Sequence, residues 1–224
     1  MSKIVWDASG ERLYETGVSK AVLYPRDANG LYPLGVGWNG FSKFTESPSG
    51  AEPSSVYANN SKYLTLMSLE ELGGSIEAYM YPDEFAACDG SAELVAGVYA
   101  GQQSRKPFGL CYRTEIGSDT QAPGVKGYKL HLIYGATASP AEKAYQTIND
   151  NPEAMALSWE ISTVPVVVSG MKPSASLVID STTADADKLA ALEAILYGTD
   201  GTPGAAPRLP LPDEIKTLMT PAAG

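Results

Sequence analysis

The feature that most narrows the fold is a series of short runs in which apolar and polar residues alternate with a period of two. The clearest is Tyr128–Tyr134, YKLHLIY, where Tyr128, Leu130, Leu132 and Tyr134 share one face and Lys129 and His131 the other. A helix would bury residues three and four apart, so this run suits a strand with one face on a core. The pattern recurs in Ile76–Tyr81, with Ile76, Ala78 and Met80 on one side and Glu77, Tyr79 and Tyr81 on the other. It recurs in Phe108–Ile116, where Phe108, Leu110 and Tyr112 oppose Cys111, Arg113 and Glu115. Ser19–Arg26 and Leu31–Trp38 flank Asp27-Ala28-Asn29-Gly30, and the Asn-Gly pair marks a hairpin because both residues tolerate positive φ. Lys62–Ser68 alternates again, and Ala156–Ser169 is a long β-branched run of strand type. Pro165 in the last run removes a ladder donor and points to an edge or a bulge.

Helical signals are fewer. Pro82 opens a short turn over Asp83–Cys88. Ser139 as N-cap and Pro140 at the first position open a helix running to about Asn149. A second helix, capped by Thr183 or Asp185, runs through Tyr197 with Leu189, Leu192 and Leu196 on one stripe and Gly198 as its stop. Strands followed by isolated helices, without βαβ alternation, predict a mainly β fold. The expected architecture is an antiparallel β-sandwich or barrel with one or two flanking α-helices.

Two stretches stand outside this pattern. Phe41–Ser61 has Pro48, Gly50, Pro53 and seven serines or threonines, and reads as a long, exposed inter-strand loop. Residues 199–224 hold five prolines and read as an arm or tail off the core. The expected organisation is one domain over residues 1–198, followed by that proline-rich terminus.

Charge and composition exclude several functions. Sixteen Lys+Arg against 26 Asp+Glu leave a net charge of -10, the wrong sign for gripping a phosphate backbone. No stretch of about 18 apolar residues is present to span a membrane. Met1–Gly10 lacks the apolar core of a signal peptide, so the expected site of synthesis is the cytoplasm. That setting favours free thiols at Cys88 and Cys111 and leaves the Asn59-Asn60-Ser61 sequon unused.

Motifs that could carry chemistry are weak. Gly35–Gly40, GVGWNG, matches a dinucleotide fingerprint, but FSKFTESPSG follows where that site needs a helix N-terminus. Cys111 and His131 both fall on polar faces of expected strands, yet no third residue orients them as a nucleophile and base. Asp83, Glu84, Asp89 and Glu93 lack the spacing of a calcium loop and read as a solvated acidic face. No catalytic residue, cofactor or metal is therefore expected. Thirteen tyrosines, many beside strands, suit half-buried sheet faces and protein interfaces.

The order of features is more informative than any one motif. GVGWNG at Gly35–Gly40 precedes a Ser/Pro loop and then SKYLTLMSLEELGGSIEAYMYPDEFAACDG at Ser61–Gly90. KPFGLCYRTEIGSD at Lys106–Asp119, GYKLHLIYGATASPAEKAYQTIND at Gly127–Asp150 and ALSWEISTVPV at Ala156–Val166 follow. This order resembles the major tail protein, or tail tube protein, of long non-contractile tailed bacteriophages and prophages, across residues 3–198. The resemblance implies a β-sandwich subunit that forms a homo-hexameric ring. Rings would stack into a tube whose acidic lumen conducts DNA into the host, with DNA a non-adhering passenger. It implies residence in the virion tail, assembly in the host cytoplasm, and tape-measure, tail-terminator and distal-tail proteins as partners.

In that picture Phe41–Ser61 matches the loop that reaches a neighbouring ring. Phe41, Phe44, Val56 and Tyr57 are its candidate stacking residues. Glu77 and Glu115 are candidate lumen acids if their strands line the barrel. Two other classes remain open: a monomeric β-sandwich binding module for carbohydrate or adhesion, and an enzyme uniting Cys111 with His131.

Overall fold

A computed structural model describes residues 4–147, 154–201 and 204–220. In chain order the strands are β1 (Leu13–Pro25), β2 (Val36–Gly37), β3 (Phe41–Glu46), β4 (Ser49–Gly50), β5 (Pro53–Ala58), β6 (Ser61–Met67), β7 (Glu70–Glu71) and β8 (Gly73–Ala78). They continue as β9 (Ala92–Val95), β10 (Val98–Ala100), β11 (Phe108–Ser118), β12 (Gly127–Ala138), β13 (Leu157–Thr163) and β14 (Ser176–Asp180). Helices α1 (Ala186–Tyr197) and α2 (Pro212–Met219) follow. The fold is mainly β and antiparallel, consistent with a β-sandwich carrying flanking helices.

The main sheet runs β2-β1-β11-β12-β13-β8-β3, with β14 also paired to β12. Strand β12 changes partner along its length, from β14 at Lys129–Ile133 to β13 at Ala136–Ala138. Gly135 sits at the change with φ +60°, where a Cβ would lie 2.3 Å from the Val164 carbonyl oxygen. Only glycine permits that backbone contact.

Alternation places a separate core on each face of the sheet. On one face Leu23, Ile76, Phe108, Leu110, Ile133 and Trp159 enclose an aromatic cluster. Phe85 lies within it, 4.6 Å from Trp38 and 5.1 Å from Trp159 between ring centroids. On the other, Val22, Tyr24, Cys111, Leu130, Leu132 and Tyr134 meet Leu189, Leu192 and Leu196 of α1. The helix begins as its sequence dictates, with Asp185 accepting from the backbone N–H of Asp187 and Lys188, and Gly198 follows its last turn.

Several expectations are corrected. Residues 199–224 do not stand off the body among the described residues, because Leu209 and Ile215 are buried in the second core and α2 packs there too. Prolines lack a donor but keep their carbonyls. Pro207 accepts from the Gly35 N–H at 2.7 Å and Pro210 from the Tyr134 hydroxyl at 2.9 Å. Ser139–Thr147 forms no helix, strand or turn; the rest of that expected helix, to Asn149, lies outside the described residues. Of Asn29-Gly30 only Gly30 takes positive φ, and the second arm of that hairpin is the two-residue β2. Strand β13 stops at Thr163, short of Pro165. Strands β9, β10 and β14 had no sequence signal strong enough to assign.

Candidate assembly surface: the hairpin arm

The segment 41–61 is not a loop but the outgoing half of a long two-stranded ribbon. Strand β3 pairs β8, β4 pairs β7 and β5 pairs β6, an antiparallel ladder from Phe41↔Ala78 to Ala58↔Ser61 whose register shifts between Phe41 and Lys43 and again between Val56 and Tyr57. At the tip Asn59 and Asn60 take φ of +49° and +60°, the pair of left-handed residues that a type I′ turn requires. Gly50 and Ala51, also at positive φ, kink the ribbon between β4 and β5. From Glu46 to the tip the strand rise gives a contour length on the order of 40 Å.

Beyond its root, no other described residues cover the ribbon. Every residue of β5 and β6 is exposed. Strand alternation puts Val56, Leu64 and Leu66 on one face and Tyr57, Tyr63 and Met67 on the other. Tyr57, Tyr63 and Met67 keep 69%, 72% and 69% of their surface in water. Soluble proteins seldom leave contiguous apolar surface of this kind open unless it binds something. Lone two-stranded hairpins are also marginally stable in water.

The four candidate stacking residues divide between root and arm. Phe41 and Phe44 are half-buried against the aromatic core, with Phe41 5.5 Å from Trp38 and Phe44 4.9 Å from Tyr112 between centroids. Val56 and Tyr57 are exposed on β5. Tyr63, Leu64, Leu66 and Met67 on the return strand escaped the sequence reading. Their signal was there, since Lys62–Ser68 alternates as a strand yet carries apolar residues on both faces, Leu64 and Leu66 on one and Tyr63 and Met67 on the other.

The candidate lumen acids lie off the aromatic face. Glu77 alternates with buried Ile76 and Ala78, and meets Lys43 at 3.0 Å. Glu115 meets Arg113 at 3.3 Å, and that guanidinium stacks 4.6 Å over the Tyr128 ring.

Other chemistry is separated or neutralised by the geometry. Cys111 pairs with Leu132, and His131 with Tyr112, so the thiol and the imidazole point to opposite faces of neighbouring strands. Cys111 is buried beneath α1, not on a polar face, and burial pushes its thiol up to about 12. Both cysteines are free. His131 stacks flat on Tyr112 at 4.6 Å between centroids, and its Nε2 lies 2.9 Å from Thr114 Oγ1 and 3.4 Å from Glu15. Burial holds its pKa below the ordinary value, against the opposing pull of Glu15 and Glu46.

The expected acidic face is also corrected at one residue. Asp89 is buried and accepts from the Trp159 indole at 2.9 Å and from Lys143 at 2.5 Å, with Arg105 at 3.5 Å. Gly35–Gly40 leads into strand β3, so no helix N-terminus faces those glycines. Gly35 instead lets the chain pass the Tyr24 ring, which a Cβ would meet at 2.6 Å. Among the described residues no three His, Cys, Asp or Glu side chains are placed to hold a metal, and no helix is long and apolar enough to cross a membrane. No protein-family model matches the chain, and no curated protein matches it in sequence.

Proposed function

We propose that this chain is a structural subunit of a phage tail tube, without catalytic activity, that assembles into stacked hexameric rings. One observation carries the reading: a ribbon with apolar side chains on both faces and nothing among the described residues to cover them. Contact between an arm on one subunit and a different surface on the next is heterologous, and heterologous contacts propagate into open filaments. The net charge of -10 suits a conduit whose wall repels DNA phosphates, letting the passenger slide. In this role the protein resides in the virion tail after assembly in the host cytoplasm, alongside tape-measure, terminator and distal-tail proteins.

The test is assembly. Purified protein at high concentration, with tail partners supplied if needed, should form tubes visible by negative stain. A Val56→Ser, Leu64→Ser, Leu66→Ser variant should stay folded and form none. Tubes of normal yield from that variant, or a wild-type chain monomeric under every condition, would overturn the proposal. Tyr57 and Tyr63, exposed on one face beside the tip, favour a second reading as the aromatic platform of a monomeric carbohydrate-binding or adhesive module. Glycan-array binding by a stable monomer, lost in Tyr57→Ala, would select it.

A further inference from the structure

The stretch after β12 carries the sequence of a helix and the conformation of a strap. Ser139-Pro140-Ala141-Glu142 is a capping box, with serine at the N-cap, proline first and glutamate third. Ala141–Gln146 holds no glycine and no β-branched residue. Yet Ser139–Thr147 makes no helical turn. Local preference and observed backbone disagree here, and such conflicts are expected at functional or strained sites.

The contacts that oppose the helix can be named. Arg105 Nη1 donates to the Ala138 carbonyl at 3.1 Å and the Ser139 carbonyl at 3.4 Å. In a helix capped by Ser139, that second carbonyl would accept its first bond from the Lys143 backbone N–H. Lys143 is itself drawn away. Its ammonium reaches the buried Asp89 carboxylate and lies 5.3 Å from the Tyr81 ring and 5.8 Å from that of Trp159. The Ser139 N–H donates to the Glu160 carbonyl at 2.7 Å, and Ala141 packs on the aromatic core. The strap is thus fastened at 139, 141 and 143.

We propose that Ser139–Thr147 is a two-state segment, held out of the helix by Asp89 and Arg105 and turning helical when Lys143 leaves Asp89. An eight-residue helix is marginal by itself in water. One charged contact in a dry site can therefore decide between the two states. In the helical state Ala141, Ala144 and Tyr145 share one side at three- and four-residue spacing. Tyr145, exposed in the strap, then becomes the centre of a small apolar stripe. None of this depends on whether the subunit builds a tube.

Backbone NMR of the full chain tests it. In the wild type, Cα shifts over Ala141–Thr147 should be non-helical and the amides unprotected. In Lys143→Met, whose side chain keeps the contact with both rings, the shifts should become helical. Amide exchange at Ala144–Thr147 should slow by about tenfold or more. Trp159 fluorescence shows whether the variant is folded. If it is not, Asp89→Asn, which preserves an acceptor for the indole, gives the same readout. Adding Ala144→Pro to either variant should erase the helical shifts. A wild-type segment already helical in solution, or a folded variant that stays non-helical, overturns the proposal.

Discussion

Strands β11 and β12 and strands β5 and β6 are both antiparallel pairs rich in apolar residues, and they live in opposite surroundings. The first pair is buried on both faces: Leu110 and Ile133 point into the aromatic core, Cys111 and Leu132 into the core under α1. The second is exposed on both faces along its whole length. Backbone pairing is the same kind of ladder in each, so it cannot account for the difference. What differs is the cover. For β11 and β12 the same chain supplies it, whereas for β5 and β6 the described residues supply none. Burial at ~25 cal/mol per Å² therefore stabilises the body in the monomer, and the arm only in a complex.

The largest test of that contrast is Phe108→Ala in β11. The side chain is fully buried against Phe85 at 5.5 Å between centroids, so its loss should cost about 3–5 kcal/mol, read from urea unfolding. A cost under ~1 kcal/mol would mean the aromatic core is not packed as described. Next comes Ile215→Ala in α2. If the C-terminal stretch belongs to the body, this change should cost about 2–3 kcal/mol, the low end for a buried isoleucine. No measurable cost would return residues 205–220 to the status of an appendage.

That second position also shows what the sequence made legible. Period-two alternation located β6, β8, β11 and β12, a β-branched run located β13, and the leucine stripe with Asp185 and Gly198 located α1, because those signals are local. Leu209 was not legible. Its backbone N–H pairs with the Tyr32 carbonyl at 3.1 Å, a partner 177 positions away, and proline density alone reads as tail. The arm failed for a related reason: serines, prolines and a kink at Gly50 masked strands β3 to β5, although Phe41–Ser61 was rightly expected to be largely exposed. Of the candidate residues there, Val56 and Tyr57 lie on the open ribbon, and Phe41 and Phe44 anchor its root. Asp89 read as solvated because its cover, Trp159 and Lys143, comes from distant segments.

A smaller effect is expected from pH at the only histidine. His131 faces Glu15 on β1, Tyr112 and Thr114 on β11, Lys129 on β12 and Glu46 on β3. Burial lowers its pKa in the folded state below 6.5, so on acidification the unfolded chain takes up that proton first. Stability from this group is complete above pH ~6.5 and falls as the pH drops through the folded pKa. Urea midpoints at pH 7.5 and 5.0 should show the loss, and His131→Gln should flatten it. A folded-state NMR titration at or above 6.5 would contradict the assignment.

On the arm the same kind of apolar change should hardly register in the monomer. Leu66→Ser removes an exposed side chain from β6 and should move unfolding by no more than ~0.5 kcal/mol. A loss of 2 kcal/mol or more would show that the body covers β6 after all.

The smallest global effect, and the sharpest on the comparison, belongs to the tip. Asn59 and Asn60 hold the two left-handed positions of the turn, where alanine is strained by about 1–2 kcal/mol. Asn60→Ala should therefore open the β5–β6 ribbon locally. Because that ribbon shares no core with the body, its opening is a separate event from global unfolding. Amide exchange across Pro53–Met67 should accelerate by roughly tenfold while exchange in β11 and β12, and the urea midpoint, stay where they were. If the midpoint falls in step with the arm, the two regions unfold together. The arm would then be part of the body's cooperative unit, and its exposed faces would need another explanation.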